Sequence, residues 1–165
     1  PGIIMKSSIH LVIADSSEVF IEGIKSWSKG FVNIVLVGIC RDWNELNDFS
    51  NITKEQIVVI TQCKWLQHTS KTEIEEFLTY HQNIRIAAFC SNKKRKQILT
   101  LMDAGVCGFF NPGTGQEEFI YGLMDVAHDQ NFISEGLKGI IQSAPSSFNK
   151  NLRKTATNNL YFSGN

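Results

Sequence analysis

Five short runs, over 9–14, 32–39, 56–60, 84–89 and 106–110, carry apolar and often β-branched residues at most of their positions instead of at every second one. A strand with one wet face alternates apolar and polar residues. A run that does not alternate has both faces covered, as in a parallel sheet held between layers of helices. The stretches between the runs have helical spacing. Phe20, Gly23, Ile24 and Trp27 stand at i, i+3, i+4 and i+7 ahead of Gly30. Shorter stripes follow: Trp43 with Leu46, then Ile74, Phe77, Leu78 and His81, then Ile98, Leu99 and Met102, then Phe119, Leu123, Val126 and Ala127. Ser70-Lys71-Thr72-Glu73 and Thr114-Gly115-Gln116-Glu117 both have the form of a capping box, in which two side chains satisfy the free amides of a first helical turn. Strand and helix alternate throughout, which predicts an α/β fold with a doubly wound five-stranded parallel sheet.

In such sheets the ligand crevice lies at the carboxyl ends of the strands. That rule directs attention to Asp15 and Ser16, to the region of Thr61, to Cys90, and to Asn111 and Pro112.

The chain here resembles the receiver (CheY-like) domains of response regulators, in particular those of the NarL/FixJ type that precede a LuxR-type DNA-binding domain. The resemblance spans about 8–142. It rests on Leu11-Val12-Ile13-Ala14-Asp15 with Glu22-Gly23, on Ala104-Gly105-Val106-Cys107-Gly108-Phe109-Phe110, and on Asn131-Phe132-Ile133-Ser134 leading into an extra C-terminal helix over 135–142. It implies a phosphoacceptor aspartate ending the third strand, an acidic pair after the first strand that helps hold Mg²⁺, a hydroxyl after the fourth, and a lysine after the fifth. This sequence departs from that set. The acidic pair is Asp15 followed by Ser16, the acceptor position falls on Thr61, the hydroxyl position on Cys90, and the lysine position on Pro112, or on Asn111 with a one-residue slip. The departures remove acceptor, metal ligand, hydroxyl and cation together. The expectation is therefore a non-phosphorylatable, atypical receiver: not an enzyme, without cofactor or metal, acting in signal transduction and transcription regulation through dimerisation or the binding of a partner or ligand. A small flavodoxin-like redox or ligand-binding protein using Cys63 and Cys90 is the alternative.

The resemblance also implies an interaction face on the fourth helix, fifth strand and fifth helix, with Phe109, Ile120 and Met124 on it, and a homodimer formed there. The run Lys93-Lys94-Arg95-Lys96 opens the fourth helix, where positive charge opposes the helix dipole, and reads either as a contact for an anion, an acidic partner or nucleic acid or as a solvated surface. Over the whole chain 16 basic and 16 acidic residues cancel, so net charge does not point to nucleic acid, and no direct nucleic-acid contact is expected. An effector DNA-binding domain beyond the C-terminus or a separate partner protein is expected to supply output.

The four cysteines show neither CxxC spacing nor a paired histidine motif, so neither a zinc site nor a disulfide framework is expected, and they read as intracellular thiols. Cys63 and Cys90 nevertheless fall at the ends of adjacent strands. No apolar run approaches the roughly 20 residues a membrane span needs, and the chain reads as cytoplasmic. Residues 1–7 are read as a leader, 8–142 as the receiver-like domain, and 143–165 as a linker or disordered tail. Trp65, in the loop after the third strand, is expected to cover the core.

Overall fold

The computed structural model describes residues 8–152. Six parallel strands lie in the order β2-β1-β3-β4-β5-β6: β1 Ile9–Ala14, β2 Ile34–Cys40, β3 Ile57–Gln62, β4 Ile84–Phe89, β5 Gly108–Phe110 and β6 Phe132–Ile133. The five strands expected from sequence are present in the expected order of a doubly wound sheet. The two-residue β6, set beside β5 by the pairs Gly108–Phe132 and Phe109–Ile133, is an addition. Helices α1 (Glu18–Lys29), α2 (Trp43–Ile52), α3 (Cys63–Leu66), α4 (Lys71–Tyr80), α5 (Arg95–Ala104), α6 (Gln116–Ala127) and α7 (Ser146–Lys150) complete the described residues with two 3₁₀ segments, Asn92–Lys94 and Glu135–Ser143.

Because strand side chains alternate between faces, each strand feeds two cores. Leu11, Ile13, Val58, Ile60 and Phe110 face α1 and α6, where Ile21, Ile24, Phe119 and Leu123 meet them. Val12, Val59, Ile86 and Phe109 face α2, α4 and α5, where Leu46, Ile74, Phe77, Ile98 and Met102 meet them. The first capping box is half realised, since Ser70 Oγ accepts the Glu73 amide at 3.1 Å. The second is not. Gly115 occupies the N-cap position, and Thr114 Oγ1 donates to Asn111 Oδ1 at 2.9 Å instead.

The domain runs past the boundary expected at Gln142. The predicted extra helix is a 3₁₀ segment, and the chain continues into α7, whose Phe148 is 2% exposed and packs edge-on against Phe109 at 5.8 Å between ring centroids. Asn131 ties this segment down, donating from Nδ2 to the Phe148 carbonyl at 2.8 Å and from its amide to the Asn151 carbonyl at 2.8 Å. The expected linker thus contributes to the core as far as Leu152, while 153–165 and the leader 1–7 lie outside the described residues.

His81, which closes α4, is buried between Phe77 and Tyr80 at ring distances of 4.7 and 4.8 Å. Burial holds its imidazole below the ordinary value of 6.5. As pH falls below that value the unfolded chain takes up a proton that the folded chain refuses, so His81 lowers stability toward acid and is without effect well above it. Melting temperatures taken between about pH 7.5 and about pH 5.5 should fall less steeply in His81→Phe than in the wild type. Equal slopes would show that His81 carries no part of the acid sensitivity.

Candidate functional site

The carboxyl edge of the sheet opens into a groove of about 540 Å³ between α1 and the loops that follow β3, β4 and β5. The predicted residues reach it unequally. Asp15 does not line it: it is 1% exposed behind Gln62, which does, and its carboxylate is occupied by N–H donors, the Ser17 amide at 2.9 Å, the Gln62 amide at 3.2 Å and Gln62 Nε2 at 3.2 Å. Each of those bonds stabilises the carboxylate in place. Ser16 beside it is exposed to solvent.

The register of β1 on β3 pairs Ile13 with Ile60. Strand alternation then puts Gln62, not Thr61, on the Asp15 face of the sheet. Thr61 is fully buried, on the face that Val59 shares, and its hydroxyl has no hydrogen-bond partner among the described residues. The residue at the end of β3 that faces the groove is therefore Gln62, one position beyond the Thr61 expected there. Either choice leaves this position without a carboxylate.

Cys90 lies at the end of β4, and it is not a thiol. It is joined to Cys63 in a disulfide with the two Cα atoms 5.1 Å apart. This corrects the expectation of unpaired thiols and bears out the nearness of the two residues. The pairing follows from register: Gln62 pairs with Phe89, so the next residue on each strand, Cys63 and Cys90, is brought level across the sheet. Gln97 fixes the same corner by donating from Nε2 to the Cys63 carbonyl at 2.9 Å. The two remaining thiols, Cys40 and Cys107, are both pushed up to about 11, chiefly by burial, and so are poor nucleophiles at neutral pH.

At the end of β5 neither candidate supplies a cation. Pro112 lines the groove, whereas Asn111 turns the other way. The Asn111 amide donates to Ser134 Oγ at 2.9 Å, and its side chain lies over Gly136 so closely that a Cβ there would overlap it. Trp65 leaves the groove as well, packing on Trp43 at 6.0 Å and donating from Nε1 to the Arg41 carbonyl at 3.2 Å. That is the core-covering role expected of it.

Mg²⁺, which the fold family implies, does not fit these residues. A hard divalent cation needs free oxygen ligands, several of them anionic. Here Asp15 alone offers a carboxylate, and its oxygens are already taken by N–H groups. Among the described residues no group of three His, Cys, Asp or Glu side chains could hold a metal ion.

The basic run divides. Lys94 lines the groove and also, with Lys93 and Lys96, an adjoining cleft between α4 and α5, while Arg95 reaches Ser143 Oγ. The expected interaction face is not assembled. Phe109 is 0% exposed and lies in the core opposite to the one that Ile120 joins, Ile120 is itself buried, and Met124 is half-buried on α6. The segment from Glu135 to Lys150 covers the β5 surface that was to have been open.

No family model matches the chain, and no curated protein matches it. Solved structures do. The isolated REC domain of RcsB from Salmonella enterica serovar Typhimurium, in the presence of phosphomimetic BeF₃⁻, superposes with a TM-score of 0.70 at 15% identity, covering 81% of this chain and 99% of that one. A LuxR-family two-component response regulator from Aurantimonas sp. SI85-9A1 gives 0.72 at 14% identity over 83% and 97%. RcsB dimers bound to DNA give 0.66 at 14% identity over 82% and 69%. The fold is that of response-regulator receiver domains. Among the described residues no helix is long and apolar enough to cross a membrane.

Proposed function

We propose that this domain is an atypical receiver, not an enzyme, which takes part in signal transduction and transcription regulation by binding and not by phosphotransfer. The observation that carries this is the state of Asp15: a buried carboxylate held by the Ser17 and Gln62 amides and the Gln62 side chain, with no second acid at the end of β3 and no lysine at the end of β5. A phosphoryl group arriving there would meet no carboxylate at the end of β3 to accept it, no lysine at the end of β5 and no set of oxygen ligands for the metal that neutralises its oxygens. The disulfide supports the same reading, because it replaces the hydroxyl position after β4 and tethers the loop that carries an acceptor in phosphorylated receivers.

Output in this reading passes through self-association, as in the dimers formed by RcsB, or through a partner or an effector domain attached beyond the C-terminus. With Phe109 enclosed and the rest of α6 from Phe119 to Val126 buried, half-buried Met124 is the residue of the expected face left within reach of a second copy. Met124→Glu is expected to convert a dimer to monomer in light scattering, and an unchanged mass would remove α6 from the interface. The function itself is tested by offering the protein Mg²⁺ and a small phosphodonor, which should leave its mass and assembly as they were.

A redox role is the second reading, favoured by the placement of Cys63 and Cys90 at the groove. It requires the pair to cycle between dithiol and disulfide with an external thiol. Failure of a dithiol reagent to reduce the native protein would exclude it.

A further inference from the structure

We infer that the groove at the carboxyl edge of the sheet is a binding site for a small apolar organic anion, such as an aromatic carboxylate or sulfonate. The inference rests on the reading of this domain as one that works by binding, and supplies the ligand class.

One wall is apolar and open. Val19 is 85% exposed on α1, and Phe20, Trp27 and Phe89 continue the wall inward, with Phe20 set edge-on to Phe89 at 5.6 Å. A contiguous apolar concavity of this size on one side of a domain marks a place where something binds. Among the described residues the charged ones that line the groove are Lys64 and Lys94, and no carboxylate lines it. Asp15, beneath, has its charge occupied by the donors described above. Polar groups able to orient a ligand, those of Gln62 and Ser91, also border the groove. Apolar walls with two cations and no acid match an apolar body bearing one negative group.

Gly23 adds an independent observation. It lies inside α1, where glycine is less favourable than alanine, yet a Cβ placed on it would meet nothing within 4 Å. No close packing explains the glycine. The space it leaves empty belongs to the groove.

The test uses a matched pair of fluorescent probes: 8-anilinonaphthalene-1-sulfonate and N-phenyl-1-naphthylamine, which is the same body without the sulfonate. The wild-type protein should bind the sulfonate saturably at one site. Lys64→Gln/Lys94→Gln should weaken that binding about tenfold or more while changing the affinity for the neutral probe less than about twofold. Gly23→Phe should weaken both probes about tenfold or more with a melting temperature no lower than the wild type, because the new ring fills the groove without disturbing the fold. Absence of saturable sulfonate binding, equal binding by Gly23→Phe, or an unchanged sulfonate affinity in the lysine variant would each overturn the proposal. So would loss of the signal at high protein concentration as the mass doubles, which would give the groove to a second copy. A phosphoryl adduct on the intact protein would instead sink the binding-only reading while leaving the probe titrations to stand or fall by themselves.

Discussion

Phe109→Ala is expected to destabilise the domain by about 3–5 kcal/mol, the range for removing an aromatic ring from a core that cannot collapse around the gap. In a domain of this size that lowers the melting temperature by on the order of 10 °C. The ring is 0% exposed, and it is closed off on the far side by Phe148 and flanked in the same cluster by Ile133, Leu137 and Ile140. Those neighbours sit on β6, the 3₁₀ segment and α7, which are anchored elsewhere by Asn131 and Ser134 and so have little freedom to move inward. Urea and thermal unfolding measure the effect. A near-neutral result with a change in oligomeric mass would place Phe109 at an intermolecular surface, and the enclosed β5 described here would be wrong.

Breaking the Cys63–Cys90 link is expected to cost about 3–4 kcal/mol, from the loop-closure entropy that a cross-link spanning 27 residues removes from the unfolded chain. The link also pins the first turn of α3, a helix of four residues too short to persist on its own propensity. Cys63→Ala/Cys90→Ala avoids leaving a buried polar group. It should melt well below the oxidised wild type and be indifferent to dithiothreitol, whereas the wild type should drop toward it when reduced. A count of four free thiols on the denatured wild type, with no response of its stability to reductant, would contradict the pairing.

What the sequence made legible was whatever periodicity controls. The apolar runs announced strands buried on both faces, and the stripe through Phe20, Ile24 and Trp27 announced α1. The groove could be placed at the right edge of the sheet because topology alone puts it there. Three features escaped for physical reasons. The choice between Thr61 and Gln62 depends on which face of β3 a residue occupies. A run that is apolar on both faces carries no alternation to fix that choice, so only the register on β1 decides it. The disulfide depends on two residues brought level by parallel pairing, a long-range relation with no local spacing signal. The burial of β5 depends on the residues after Gln142, whose Ser/Asn/Lys-rich composition resembles a tail. Phe148, the first aromatic residue after that boundary, was the signal that could have shown otherwise, because a large ring in a polar stretch needs somewhere to be buried.

These features change the character of the site. A receiver active in phosphotransfer keeps carboxylates free at the sheet edge to hold a metal. Here the one carboxylate is structural, a cross-link stiffens the corner next to it, and the surrounding walls are apolar and cationic.

Whether phosphotransfer survives in this domain is decided by incubating the purified protein with Mg²⁺ and acetyl phosphate, then reading its intact mass and its light scattering. Mass and assembly should both stay unchanged. A phosphoryl adduct, above all one that shifts the assembly, would contradict it and would show that an acceptor survives at this edge of the sheet.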